Sequence, residues 1–222
     1  VAGVGDVVVC APPGKNGSVA ESTLAATVIA GVDTVHPVGG VQAIAAMAYG
    51  TETIRPTDVI VGPGNAYVAL AKREVAGVVG VPSAFAGPSE VVVVADGTVP
   101  VEFVAVDLCA QAEHGPDGMA WLVTWDEKVA KGVDEAVSRV IDRAPRSNVI
   151  SSALSAGGRC VLVDDKERAL DVVNSIAPEH VQLMVADSET LAEGVRNAGA
   201  VFCGPWSPAS LGDYVVGPSH VL

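Results

Sequence analysis

The sequence predicts an α/β fold with mostly parallel sheets and crossover helices, and three observations carry that prediction. Short β-branched runs alternate with Ala-rich stretches of helical length along nearly the whole chain. Half of the 222 residues are apolar, yet there are 24 glycines and only three each of Trp, Tyr and Phe. The core must therefore be built from Val, Ala, Leu and Ile held close to backbone, which suits α/β layering. Finally, one Gly-, Pro- and Ser-rich stretch without periodicity, residues 77–88, interrupts the alternation once.

Taken in order, residues 6–10 read as a strand, 20–30 as a helix, 34–38 as a strand and 41–49 as a helix. A buried strand is expected at 58–61; the Gly62-Pro63-Gly64-Asn65 turn then leads into a helix over 66–75 that ends near Gly77. The stretch 77–88 is the linker, with the boundary at Gly87, so the lobes are 1–87 and 88–222. Beyond it come a strand at 91–95, a helix from 101 to about 114, a strand at 120–124 and an amphipathic helix over 127–143. A strand at 159–163, a helix at 166–176, a strand at 181–185, a helix at 191–198 and a strand at 200–203 follow. From Gly204 onward the chain reads as turn-rich loop. Each lobe is thus expected to be a Rossmann-like unit, without a residue-level repeat between them.

Composition removes several classes of function. With 13 basic against 26 acidic residues, the net charge of −13 repels a polyphosphate backbone, so no nucleic-acid partner is expected. Apolar runs are broken by charge or glycine well short of the roughly 18 residues a spanning helix needs, so no membrane span is expected. Cys10, Cys109, Cys160 and Cys203 stand far apart and are expected to be reduced. No targeting peptide is recognisable, and a cytoplasmic setting is the default. The chain starts at Val1 and stops within a loop at Ser219-His220-Val221-Leu222, so it is expected to be an excerpt.

Three constellations could carry chemistry. In Asp107-Leu108-Cys109-Ala110-Gln111-Ala112-Glu113-His114, the spacing puts Asp107, Gln111 and His114 on one helix face at i, i+4 and i+7. An imidazole and an oxygen donor one turn apart can bind a divalent metal, with Asp107 orienting them from behind; a solvated helix end is the plain alternative. Pro178-Glu179-His180 delivers a carboxylate and an imidazole to the mouth of a strand, a pair suited to acid–base work. The loop from Trp206 to His220 offers Asp213 as a hard oxygen ligand and His220 as an imidazole. Glycine-rich turns at Gly39-Gly40 and Gly62 to Asn65 sit between strand and helix, where amides can face a pyrophosphate, although neither is a GxGxxG fingerprint. His36 reads as a core or edge residue. Cys109 could be a thiol nucleophile toward an aldehyde, but reads more simply as a buried cysteine.

Ala86-Gly87-Pro88-Ser89-Glu90, Asp107 through His114, Pro178-Glu179-His180 and Gly212-Asp213-Tyr214, in this order and with Gly39 to Ala43 and Gly62 to Asn65 upstream, resemble the histidinol dehydrogenase family. The resemblance extends over essentially the whole chain. It implies an NAD-binding lobe over 1–87 and a zinc- and substrate-binding lobe over 88–222. It implies zinc bound by Gln111, His114 and Asp213, completed by a histidine beyond Leu222 from the partner of a homodimer. The zinc ligands also meet the substrate. Gln42 and Asn65 are implied to contact NAD, Ser89, His180 and His220 the substrate, and Glu179 and His180 are implied to be the acid–base pair. The implied reaction oxidises L-histidinol to L-histidine through the aldehyde, in two hydride transfers to two NAD molecules, as the last step of histidine biosynthesis. Ser83 and Ala209 depart from the family's usual Asp and Glu. They leave open a paralogue that oxidises another alcohol, such as a sulfonated diol, on the same zinc and NAD machinery. A noncatalytic α/β binding domain is the reading from a different class.

Overall fold

The computed structural model describes residues 3–82 and 89–214, without the side chains of Asp213 and Tyr214. The chain divides into two compact units between Gly87 and Pro88.

The first unit contains β1 (Val8–Cys10), α1 (Glu21–Ile29), β2 (Thr34–His36), α2 (Gly40–Tyr49) and α3 (Ala66–Val75). β1 and β2 pair in parallel, Val9 opposite Val35 and Cys10 opposite His36, with α1 as the crossover. Ile44 and Ala48 of α2 meet Val75 of α3, together with Ile60 and Val79, in a small apolar core. The strand expected at 58–61 is not formed: a single parallel bridge joins Val59 to Gly80. Ile60 is buried, but Val59 and Val61 are exposed, and Gly62 at φ 109° turns the chain away before a ladder can grow. Glycine is required at the entrance to α2, where Gly40 has φ 68° and a Cβ on Gly39 would lie 2.7 Å from Pro12 Cβ.

The second unit runs β3 (Glu90–Ala95), α4 (Val101–Ala112), β4 (Met119–Thr124), α5 (Glu127–Arg143), α6 (Ser147–Gly157), β5 (Arg159–Leu162), α7 (Lys166–Ile176), β6 (His180–Met184), α8 (Ser188–Ala192), β7 (Ala200–Cys203) and α9 (Ser210–Tyr214). Its five strands, in the order β5-β4-β3-β6-β7, are all parallel. This is the doubly wound arrangement, with the strand order reversing between β3 and β6. Alternation along the strands splits the core. Val91, Val93, Leu122 and Met184 pack under α4 and α5, whereas Val92, Val94, Val181 and Leu183 pack under α7 and α8.

Four expectations are corrected in this unit. Helix α6 was not anticipated between 143 and 159, because its serine-rich sequence and lack of a side-chain N-cap resemble loop. It forms because Ile150 and Ala153 bury against Cys109 and Ala112 of α4. The helix expected over 191–198 is Ser188–Ala192 instead, because the Asn174 side-chain Oδ1 accepts from Arg196 N and Asn197 N and draws those amides out of helix. Helix α4 stops at Ala112, not near 114, since Gly115 at φ 153° and Pro116 cannot continue it. The expected loop after 204 contains the short helix α9.

Candidate active site

In a doubly wound sheet, ligands ordinarily occupy the crevice beyond the carboxyl ends of the strands, where the strand order reverses. Here side chains tie that crevice together. Asp96, following β3, accepts from Thr98 N at 2.9 Å and, through its other oxygen, from Ala186 N beyond β6 at 2.9 Å. Thr124, with no exposure, donates to Ala95 O at 2.6 Å.

The chemistry-bearing residues gather at the opposite, amino edge of the sheet. Helix α7 ends at Ala177, which has φ 53° and is the single non-glycine residue with positive φ among the described residues. That left-handed geometry costs an alanine about 1–2 kcal/mol. With Pro178 next to it, it turns the chain sharply from helix into β6. Glu179 and His180 therefore stand at the start of β6. Glu179 Oε2 accepts from Glu90 N at the start of β3, 3.1 Å away, and lies 3.6 Å from His180 Nδ1. His180 is 5 % exposed and its ring lies 5.8 Å from that of Phe202.

Helix α4 descends to the same edge. Gln111, in its last turn, is 7 % exposed, and its Nε2 is buried without a hydrogen-bond partner among the described residues. A Cβ on Gly118 would lie 3.3 Å from Ser89 O and 3.8 Å from Gln111 Nε2, and Met119 N donates to Ser89 O at 3.1 Å. Ser89, Gln111, Glu179 and His180 are thus linked through the starts of β3, β4 and β6. His114 lies two residues past the end of α4. It occupies the turn after the helix, exposed, with its N–H donating to Gln111 O at 3.2 Å. Asp213 falls in α9, its side chain outside the described residues, and His220 is also outside them.

In the first unit, Gln42 is exposed in the opening turn of α2. Asn65 caps α3, its Oδ1 accepting from Val68 N at 3.1 Å, so its amide N–H groups remain for a ligand. The sequence reading missed two residues. Lys72 of α3 is buried and donates to Gly62 O; burial lowers its pKa. Gln182 of β6 has no exposure at all, and both of its amide atoms lack a hydrogen-bond partner among the described residues. The legible signal was alternation, which puts Gln182 on the same strand face as His180. Cys109 is 2 % exposed, with burial raising its thiol to about 11, which makes it a packing residue and not a nucleophile.

The family model for histidinol dehydrogenase matches residues 1–222. The chain belongs to the histidinol dehydrogenase family. It is 49 % identical over 222 residues to histidinol dehydrogenase of Parasynechococcus marenigrum (strain WH8102), covering all of this chain and 51 % of that protein. It is 46 % identical to the enzyme of Oceanobacillus iheyensis, again over the whole chain and 52 % of the relative. The crystal structure of histidinol dehydrogenase from Elizabethkingia anophelis superposes with a TM-score of 0.90 at 39 % identity, over 96 % of this chain and 49 % of that one. The chain therefore spans about half the length of the curated relatives it matches.

Both groups implied by the family can be set against this geometry. Gln111 and His114 offer an amide oxygen and an imidazole at the C-terminus of α4, the negative end of its dipole, which favours a cation. The buried, unpartnered atom of Gln111 is its Nε2, a donor that would meet an acceptor, while Oε1 is the atom able to face a cation. Among the described residues no three His, Cys, Asp or Glu side chains converge on a metal position. In the first unit, Gln42 and Asn65 stand at the N-terminal ends of α2 and α3, where anionic groups are favoured. An amide oxygen and an imidazole are donors that zinc accepts, and helix N-termini suit the phosphates of a dinucleotide. No helix among the described residues is long and apolar enough to cross a membrane.

Proposed function

We propose that the complete protein oxidises L-histidinol to L-histidine by way of histidinaldehyde, with zinc and NAD, as a homodimer whose partner completes the zinc site. The observation that carries this reading is the convergence of Glu179, His180, Gln111 and Ser89 on one edge of the second unit, in a chain whose entire length matches the family. Gln111, His114 and Asp213 would hold the zinc, while Gln42 and Asn65 would contact NAD. When bound, zinc would orient the amino alcohol and NAD would accept the electrons of each oxidation.

The chain's own residues account for the proton movements. His180 is nearly buried and has a carboxylate 3.6 Å from Nδ1, so Nε2 is the atom to take the alcohol proton as carbon is oxidised. Glu179 has one oxygen anchored by Glu90 N, which fixes its orientation toward a water that must attack the aldehyde. Burial of His180, with Glu179 half-buried beside it, limits competing solvent.

The test is NADH formation by the complete protein with L-histidinol, before and after chelation and zinc restoration. Two NADH per substrate, lost on chelation and recovered with zinc, is expected. His180→Ala should lose most turnover, on the order of 10²-fold or more, with zinc content unchanged. Protein that retains zinc but leaves L-histidinol unoxidised would transfer the assignment to another alcohol. Protein that neither holds zinc nor oxidises any alcohol would make it a binding domain.

A further inference from the structure

Among the described residues, Lys72 of α3 is the single buried Lys, Arg, Asp or Glu, at 3 % exposure. Burying an ammonium costs far more than burying the methylenes of an apolar side chain, so its presence here needs a use. Its ammonium donates to Gly62 O, ten residues upstream. Helix geometry explains the reach. Lys72 lies about 9 Å along α3 from the first helical residue, Ala66, and helical side chains lean toward the N-terminus. The stem therefore carries the ammonium back to the turn that enters the helix.

That turn is tied to α3 at three places. Gly62, at φ 109°, presents its carbonyl to Lys72. Gly64 lies so close to the helix that a Cβ on it would collide with the Val68 side chain. Asn65 accepts from Val68 N through Oδ1 at 3.1 Å and from Ala69 N through its carbonyl at 3.0 Å. The second and third ties are made within two residues of the helix. Lys72 holds the far end, where a glycine at positive φ leaves the chain freest to swing. The direction in which the Asn65 amide N–H groups point is set by how this turn is held.

We infer that Lys72 is a positioning residue for the dinucleotide: its ammonium holds the 62–65 turn onto α3 and so sets the direction of the Asn65 amide. Being buried, it acts through Asn65 and does not touch the cofactor. This inference rests on the proposed NAD contact of Asn65.

The test uses the complete zinc-loaded protein without alcohol, so that calorimetry reads NAD binding and not turnover; melting temperature is read without NAD. Lys72→Met, which keeps the apolar stem and removes the donor, should weaken NAD binding about 10-fold or more. Lys72→Arg, which keeps a charged donor, should recover most of that loss. Adding Lys72→Met to Asn65→Ala should weaken binding little beyond Asn65→Ala alone, because both act through one side chain. Ile44→Val, in the core of the same unit, supplies the effect of lost stability by itself and should leave NAD affinity at the wild-type value. If Lys72→Met does not fold, Lys72→Gln, a shorter neutral donor, takes its place under the same expectations. Additive losses in the double variant, or an NAD loss no greater than that of Ile44→Val at equal melting temperature, would make the lysine merely structural and overturn the inference. Wild-type protein that binds no NAD would overturn the proposed function and this inference together, whereas wild-type NAD affinity in Lys72→Met overturns the inference alone.

Discussion

Cys109 shows how burial decides between two chemistries open to one residue. In the sequence it stands two residues before Gln111 and could be read as a nucleophile; in the structure it faces Ile150 and Ala153 and its thiol is pushed up from 9.0 to about 11. A folded-state pKa above the unfolded one means the native protein holds its proton more tightly. The associated stability is complete below pH 9 and is lost as pH rises through about 11. Denaturant unfolding at successive pH values should therefore show wild type losing stability faster than Cys109→Ala across that window, by at most about 1.4 kcal/mol per pH unit. Parallel slopes would mean the thiol is not buried as described. The same substitution in the complete protein should leave L-histidinol turnover nearly unchanged, which a thiohemiacetal mechanism could not tolerate.

At the scale of elements, the amino edge depends on how closely β6 and β7 begin. A Cβ on Gly199 would lie 2.7 Å from Glu179 O, a backbone atom that also accepts from Ala200 N at 2.9 Å. Gly199→Ala must therefore displace the start of β6 and carry Glu179 away from Glu90 N. We expect a stability loss of about 1–3 kcal/mol, and a kcat in the complete protein that falls more than KM changes. Wild-type kcat with only lowered melting would show that Glu179 tolerates the shift. Strands and crossover helices of this edge were legible because β-branched runs and Ala-rich stretches alternate without conflict. Helix α7, for instance, has an Asp165 cap accepting from Arg168 N at its start and Pro178 just past its end. What was not legible depended on tertiary partners. Helix α6 exists through its buried contacts with α4, and the end of α8 is set by an asparagine 20 residues upstream of Gly194, whose carbonyl accepts from that side chain at 3.0 Å. The Glu179-His180 pair was visible as a motif, whereas the complete burial of the Gln182 amide shows only in the folded sheet. The end of α4 was less sharply legible: His114 falls in the turn beyond it, ahead of Gly115 and Pro116.

At the scale of the whole chain, the two units differ in what each can bury. The second has a five-stranded parallel sheet with a core on each face, and Val93, Val104, Val123, Val173, Val181 and Leu183 have essentially no exposure. The first has a two-stranded sheet and a small core around Ile44, Ile60 and Val75. It also leaves Val28 at 76 % and Ile29 at 87 % exposure on α1, and Tyr67 at 71 % on α3. So small a core leaves little apolar burial to offset the entropy of ordering the chain, and small domains bury a low fraction of their surface. Residues 88–222 expressed alone should therefore melt cooperatively by circular dichroism, with amide protection strongest in β3 and β6. Residues 1–87 expressed alone should show no cooperative transition and should bind hydrophobic dyes. A sharp transition in residues 1–87 would mean that the exposed faces of α1 and α3 are not a liability. Gln42 and Asn65 would then stand on a scaffold stable in its own right, where NAD binding could be measured directly. Absence of that transition means that dinucleotide binding must be assayed in the complete protein, as the proposed oxidation requires in any case.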